Sequence, residues 1–491
     1  MHWFNWKLLM NMSIVGLAAC LFGYDTSFIA PQLSLPAFIQ KYQGDSVGSA
    51  FTARNLSLIV SVPIVGSAAG GLLAAVPLQA HFGRKRAFLI AYGSCCIPGS
   101  ILQLFAPNLA ALVVGRIWNA FGVAVLLATC PLYMVDLAPV HVRARSIGII
   151  VFLNMSVSVL ATVTVWGAEK MHGRRQYEIP LALQAGLAVV FFCLSLLLME
   201  SPSWLIGRGR VNEARKILLS LRHNNEELVC AEIAALQLAH ISLEEQSAEI
   251  KWWYMFRPEN LKRTFASSML MSLSQVGGQI LVLGYSTVLL VQSGVGKPFD
   301  ITILIYTMQL LGGSIGPLLM DRIGRRPVCL VGFTILILLN VVAGGLACAG
   351  LKTQAELKAL AAVFILFAFT NGVSFQSIVF LAPAEIPTAK LREATIVYGE
   401  CWSYVSSTII TFAIPQLISP TAANLGAKVA FVFAGCLLIT IILTYFFLPE
   451  TRGRTTAEMD EMYNAGVPMR KWKKYKTTMS TAQNIREKSQ E

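Results

Sequence analysis

The stretch Leu21–Ala30 places one carboxylate, Asp25, in a run otherwise apolar enough to cross a bilayer. An ionisable group at membrane depth costs at least a few kcal/mol, so such groups face a polar cavity, pair with a counter-charge and mark a substrate or proton path. The competing reading puts Asp25 at a wet helix end beside Pro31. A partner decides between the two, and Arg116, in the fourth apolar segment, is the candidate. A carboxylate beside a guanidinium can give up a proton while the pair is closed and take one while it is open, which is the chemistry of proton coupling. A second set of charges recurs in order: Arg84, Asp136, Arg143 and Glu200, then Asp321, Arg325, Glu385, Arg392 and Glu450. Acids at segment ends and arginines in adjoining loops can form hydrogen-bonded ion pairs that close a cavity and release it, a gate. The plainer reading, that the arginines only set topology, leaves the acids unexplained.

The elements that position these groups are membrane spans. Of 491 residues, 55% are hydrophobic and 13% charged, with a mean hydropathy of +0.62, a composition outside the soluble globular range. Windows of about 20 residues, enough to cross about 30 Å of hydrocarbon as a helix, can be laid down twelve times. They fall at 8–31, 55–79, 87–105, 109–134, 145–168, 181–199, 264–292, 300–320, 327–350, 359–384, 393–418 and 428–448. The fold class is therefore an all-α membrane protein of twelve transmembrane helices. With spans 1 and 4 antiparallel, Asp25 and Arg116 lie at the same depth, roughly 10–12 Å below the outer surface at about 1.5 Å per residue.

The net charge of +13 follows the membrane. Arg84, Lys85 and Arg86 share one short loop, Arg143 and Arg145 another, and Arg322, Arg325 and Arg326, then Lys390 and Arg392, repeat this in the second half. The positive-inside rule makes that side, with both termini, cytoplasmic. This pattern excludes nucleic acid as a partner in favour of the lipid bilayer. The tail bearing Arg470, Lys471, Lys473, Lys474 and Lys476 reads as a solvated or headgroup-facing segment. The ten cysteines, all but Cys230 within spans, read as buried thiols. No metal spacing, phosphate-binding loop or paired catalytic carboxylate in a soluble domain is present, so no cofactor, metal or enzyme activity is expected.

Motifs recur at a nearly constant offset. Gly83-Arg84-Lys85 matches Gly324-Arg325-Arg326 at 241, Asp136 with Arg143 matches Glu385 with Arg392 at 249, and Glu200-Ser201 matches Glu450-Thr451 at 250 residues. The chain reads as a six-helix bundle over 1–199, a linker with short amphipathic helices over 200–263, a second bundle over 264–448 and a basic tail over 449–491.

Gly23-Tyr24-Asp25, the Gly83-Arg84-Lys85 loop, Gly115-Arg116, Tyr133–Pro139, Glu200–Leu205, Asp321–Pro327, Ala384–Arg392 and Leu448–Met462 together resemble the sugar-porter branch of the major facilitator superfamily, most closely fungal hexose and α-glucoside permeases. The resemblance implies alternating access between two bundles and, in proton-coupled members, assigns protonation to Asp25 and its partner role to Arg116. It also implies sugar contacts at Gln275, Gln279, Tyr285 and the position of Phe380. The chain departs from the pattern at Ala80, where the first loop loses an acid, at Ile280, which replaces an asparagine, and at Phe380, which replaces a tryptophan. Losing two donors to sugar hydroxyls weakens binding by roughly 2–4 kcal/mol. Glu400, sharing a helical face with Tyr404, is the candidate compensation, with a structural partnership to a basic residue as its alternative.

These readings lead to a secondary transporter of a sugar-like or related organic solute, coupled to protons, in the plasma membrane. Two alternatives stay open: a facilitator or exporter of a less polar metabolite, and a nutrient receptor that binds without translocating. The receptor would be expected to carry a longer signalling tail than the roughly forty residues after Glu450.

Overall fold

The computed structural model describes residues 5–44, 50–138, 143–222, 225–249, 252–388, 391–419, 422–454 and 456–475. No strand occurs among them. Twelve helices are long and apolar enough to span a membrane: Trp6–Gln32, Ala53–Phe82, Arg84–Leu104, Leu109–Leu137, Gly148–Glu169, Arg175–Ser195, Pro258–Gln292, Pro298–Ile323, Arg325–Ala349, Gln354–Pro383, Ala394–Ile418 and Gly426–Phe447. They are numbered spans 1–12.

The boundaries depart from expectation where a cap moves them. Arg84, Lys85 and Arg86 are not a loop but the first turn of span 3, because Gly83, at φ +89°, turns the chain in one residue and a carboxylate caps the new helix. Gly324, at φ +119°, does the same before span 9. A Cβ at Gly83 would lie 2.7 Å from Glu200 Oε2, and only glycine leaves that space. Within the spans, short π-helical turns occur at Ala69–Ala74, Ala91–Cys96, Gln275–Gln279 and Gly372–Gln376. In the third of these Gly278, at φ +91°, breaks the helix. Such turns concentrate at functional positions in helices.

The chain divides into two compact units. Unit 1 comprises Met1–Glu249 with Leu283–Leu310 and Thr408–Gly426; unit 2 comprises Ile250–Val282, Leu311–Ser407 and Ala427–Glu491. In unit 1, span 2 packs on span 4 through Gly66 and Gly70, where a Cβ at Gly66 would lie 2.6 Å from the Ile117 carbonyl. In unit 2, span 8 packs on span 10 through Gly312 and Gly316 in the same way, with Gly316 facing the Val373 carbonyl at 2.7 Å. Both pairs are small-xxx-small stripes, which let helix backbones approach where lipid offers no hydrophobic drive. They lie 246 residues apart, a further sign of the duplication.

The linker forms helices Pro202–Gly207, Val211–Leu221 and Glu226–Glu249. Leu205, Ile206, Ala214, Leu218, Val229 and Ile233 make a small core among them. Arg222 fixes this assembly, pairing with Glu232 at 2.9 Å and donating to the Leu137 carbonyl at 3.2 Å. In unit 2 the tail is not simply solvated. Trp472 is fully buried over Met459 and Met462, and Arg454 donates to the Trp472 and Tyr475 carbonyls at 3.2 and 2.6 Å. Arg470 and Lys471 remain exposed, and Lys476 lies outside the described residues.

Candidate functional site

Asp25 is 6% exposed and sits where spans 1, 4 and 6 meet. Span 1 docks on span 6 through Tyr24, whose hydroxyl donates to the Pro180 carbonyl at 2.9 Å. One helical turn on from Pro180, Gln184 faces the same way and its Nε2 donates to Asp25 Oδ1 at 2.6 Å. Asn119 Nδ2, from span 4, donates to the same oxygen at 2.8 Å and is itself held by Ser100 at 3.2 Å. Arg116, three residues before Asn119 and also 6% exposed, attracts the carboxylate electrostatically. No direct ion pair joins the two, however. Arg116 Nε donates to the Ile59 carbonyl at 3.0 Å, one terminal nitrogen has no partner among the described residues, and the guanidinium lies 5.9 Å from the Phe28 ring. The acid is thus held by two amide donors that sequence reasoning missed, with the expected arginine in electrostatic range and bonded elsewhere. An arrangement with one carboxylate oxygen doubly held and the other without a donor among the described residues can carry a proton on the second oxygen.

The recurring charges close one network within each unit. In unit 1, Glu200 Oε1 accepts the N–H groups of Arg84, Lys85 and Ser201 at 2.7, 3.1 and 3.0 Å. Arg84 pairs with Asp136 at 3.3 Å, and the Ser201 hydroxyl donates to the same carboxylate at 2.5 Å. In unit 2, Glu450 accepts from the backbone of Arg325, Arg326 and Arg452 at 3.0, 3.2 and 3.1 Å. Arg325 pairs with Glu385 at 3.0 Å, and the Thr451 hydroxyl donates to Glu385. Unit 2 carries one more bond, Asp321 to Arg325 at 3.0 Å, for which Ala80 has no counterpart. Arg392 lines a cavity of about 220 Å³ with Arg325 and Glu385, yet its Nε has no partner among the described residues. The side chain of Arg143 lies outside the described residues.

Among the residues expected to contact a solute, unit 2 brings several together. Spans 7 and 11 approach closely at Gly399, which leaves no room for a Cβ beside Met271. One turn on, Gln275 Nε2 donates to Ser403 Oγ at 3.4 Å. Gln279 lies four residues on, past the break at Gly278, and Glu400 and Tyr404 are half-buried on span 11. Glu400 has no hydrogen-bond partner among the described residues, so the alternative of a basic structural partner finds no such contact there. Tyr285 differs from expectation: it lies in unit 1, is fully buried, and its hydroxyl already donates to the Thr411 carbonyl at 3.1 Å. The side chain of Phe380 lies outside the described residues.

The model of the family described as "Sugar (and other) transporter" matches residues 11–463. The major facilitator-type transporter ecdD of Aspergillus rugulosus is 28% identical, over 93% of this chain and 87% of its own length. The high glucose sensor RGT2 of Saccharomyces cerevisiae is 26% identical over 94% of this chain, which spans 61% of the sensor's length. The solved inward-open xylose transporter XylE of E. coli superposes with a TM-score of 0.74 at 18% identity, over 93% of this chain and 99% of that one, and so shares its fold. With the family matched across nearly all twelve spans, this chain belongs to the sugar transporter family of the major facilitator superfamily.

Proposed function

We propose that the chain is a proton symporter that moves a sugar-like organic solute by alternating access, with its basic face cytoplasmic and its site in the plasma membrane. The observation that carries this reading is Asp25: a buried acid in an apolar span, held by two amides and attracted to a buried arginine. A group so costly to bury is retained where its proton is used. Charge on the basic face follows the positive-inside rule, which supports cytoplasmic termini. The networks at Glu200 and Glu450 tie together the ends of spans 3, 4 and 6 in one half and of spans 9, 10 and 12 in the other, which supports each half moving as a body.

The solute is a larger, partly apolar or modified compound rather than an unmodified hexose. Gln275 and Gln279 offer amides, Glu400 offers an acceptor for a donor-rich or cationic group, and Ile280 withholds a donor. Similarity to a glucose sensor supports a second reading, binding without translocation. Radiolabel uptake into proteoliposomes, with and without a proton uncoupler, tests the proposal: uncoupler-sensitive accumulation is expected. Insensitive equilibration would leave a facilitator, and binding without uptake a receptor.

A further inference from the structure

Where spans 3 and 6 end on the basic face, a cavity of about 520 Å³ opens against the linker helix Val211–Leu221. Its volume is that of a small-molecule pocket. Four cations line it, and of these Lys85, Arg86 and Lys216 have no carboxylate partner among the described residues. The two acids of the cavity are already engaged. Glu200 accepts three backbone N–H groups, and Glu213 holds Arg210 by two bonds of 2.8 and 2.6 Å. Leu89, Leu198, Met199 and Ile217 are part of its apolar lining. Their chain neighbours Leu196 and Leu197, just past the end of span 6, are 52% and 56% exposed.

We infer that this cavity binds one acidic phospholipid from the leaflet bordering the basic face. Its phosphate and second headgroup anion meet Lys85, Arg86 and Lys216, and the first segment of an acyl chain follows Leu89 and Met199 to the bilayer. Basic pockets between spans at headgroup depth have this recognition chemistry. A free phosphate would satisfy the cations but leave the apolar lining uncovered, so that lining, with the exposed Leu196 and Leu197 next to it in the chain, selects a lipid. A lipid seated there ties the first turn of span 3 to the linker helix.

Native mass spectrometry of the full chain in neutral detergent, titrated with phosphatidylserine or phosphatidylcholine, tests this. One phosphatidylserine should bind in preference to phosphatidylcholine, and Lys85→Gln/Lys216→Gln should bind it about thirtyfold more weakly. Arg470→Gln/Lys471→Gln, which removes two exposed charges of the tail, should leave this binding unchanged. Leu89→Trp, which narrows the cavity with every charge kept, should also weaken lipid binding and decides the matter should the lysine variant fail to fold. Full binding by both cavity variants, an equal loss in the tail variant, or displacement by millimolar inorganic phosphate would overturn the assignment.

Discussion

Replacing Gln184 by leucine removes the shorter of two amide bonds to Asp25 at nearly constant volume. The bond is 2.6 Å long, both residues are buried, and Asn119 remains on the same oxygen at 2.8 Å. A hydrogen bond to a charged group contributes about 1.5–3 kcal/mol and one to a neutral acceptor about 0.5–1.5, so its loss disfavours the ionised form by the difference, about 1–1.5 kcal/mol. Since 1.36 kcal/mol corresponds to one pH unit, the pH of half-maximal driven uptake should rise by about one unit. The sign follows because a carboxylate robbed of a donor keeps its proton to higher pH. Uptake and solute exchange in proteoliposomes, each measured between about pH 5 and 9, separate the effect from misfolding: exchange at saturating solute persists while the driven profile moves. A midpoint that stays put, or moves to lower pH, would refute the view that the Gln184 amide sets the protonation of Asp25.

Two further outcomes follow from the gate and the cavity. Ala80→Asp restores in unit 1 the acid that Asp321 supplies to Arg325 in unit 2. At about 0.3–0.5 kcal/mol for an i,i+4 pair, it should shift the population toward closure of the basic face by roughly twofold, read as slower modification of a cysteine on that face; an unchanged rate contradicts it. Wild-type protein should take up glucose weakly or not at all, and Glu400→Gln should weaken binding of the true solute by about 10- to 150-fold in isothermal titration. Tight glucose transport undiminished in Glu400→Gln would overturn the reading of span 11.

Spans and duplication were legible because both rest on strong one-dimensional signals: length of apolar run and recurrence of charge. Helix ends were less so. Arg84–Arg86 read as loop because charge normally lies outside a helix, whereas the Glu200 carboxylate, 116 residues from Arg84 in sequence, draws them into its first turn. Asn119 and Gln184 escaped notice because a neutral amide in an apolar helix signals nothing until its partner is known. The glycine stripes at 66/70 and 312/316 passed unread beside the charged motifs, although their constant offset was visible. Tyr285 illustrates the opposite failure: a position taken from a family pattern names a residue type, and its hydroxyl finds the Thr411 carbonyl. Depth along two antiparallel spans put Asp25 and Arg116 level with each other, and the structure has them in electrostatic range; which groups bond to the acid depends on side-chain packing that periodicity does not encode.

The central claim is that Asp25 carries the coupled proton, and Asp25→Asn tests it most directly. Asparagine keeps the size and accepts from Asn119 and Gln184 but cannot exchange a proton. In proteoliposomes with an imposed proton gradient, the variant should exchange labelled for unlabelled solute at close to the wild-type rate and accumulate none against its gradient. Proton-driven accumulation equal to wild type in Asp25→Asn would contradict the account.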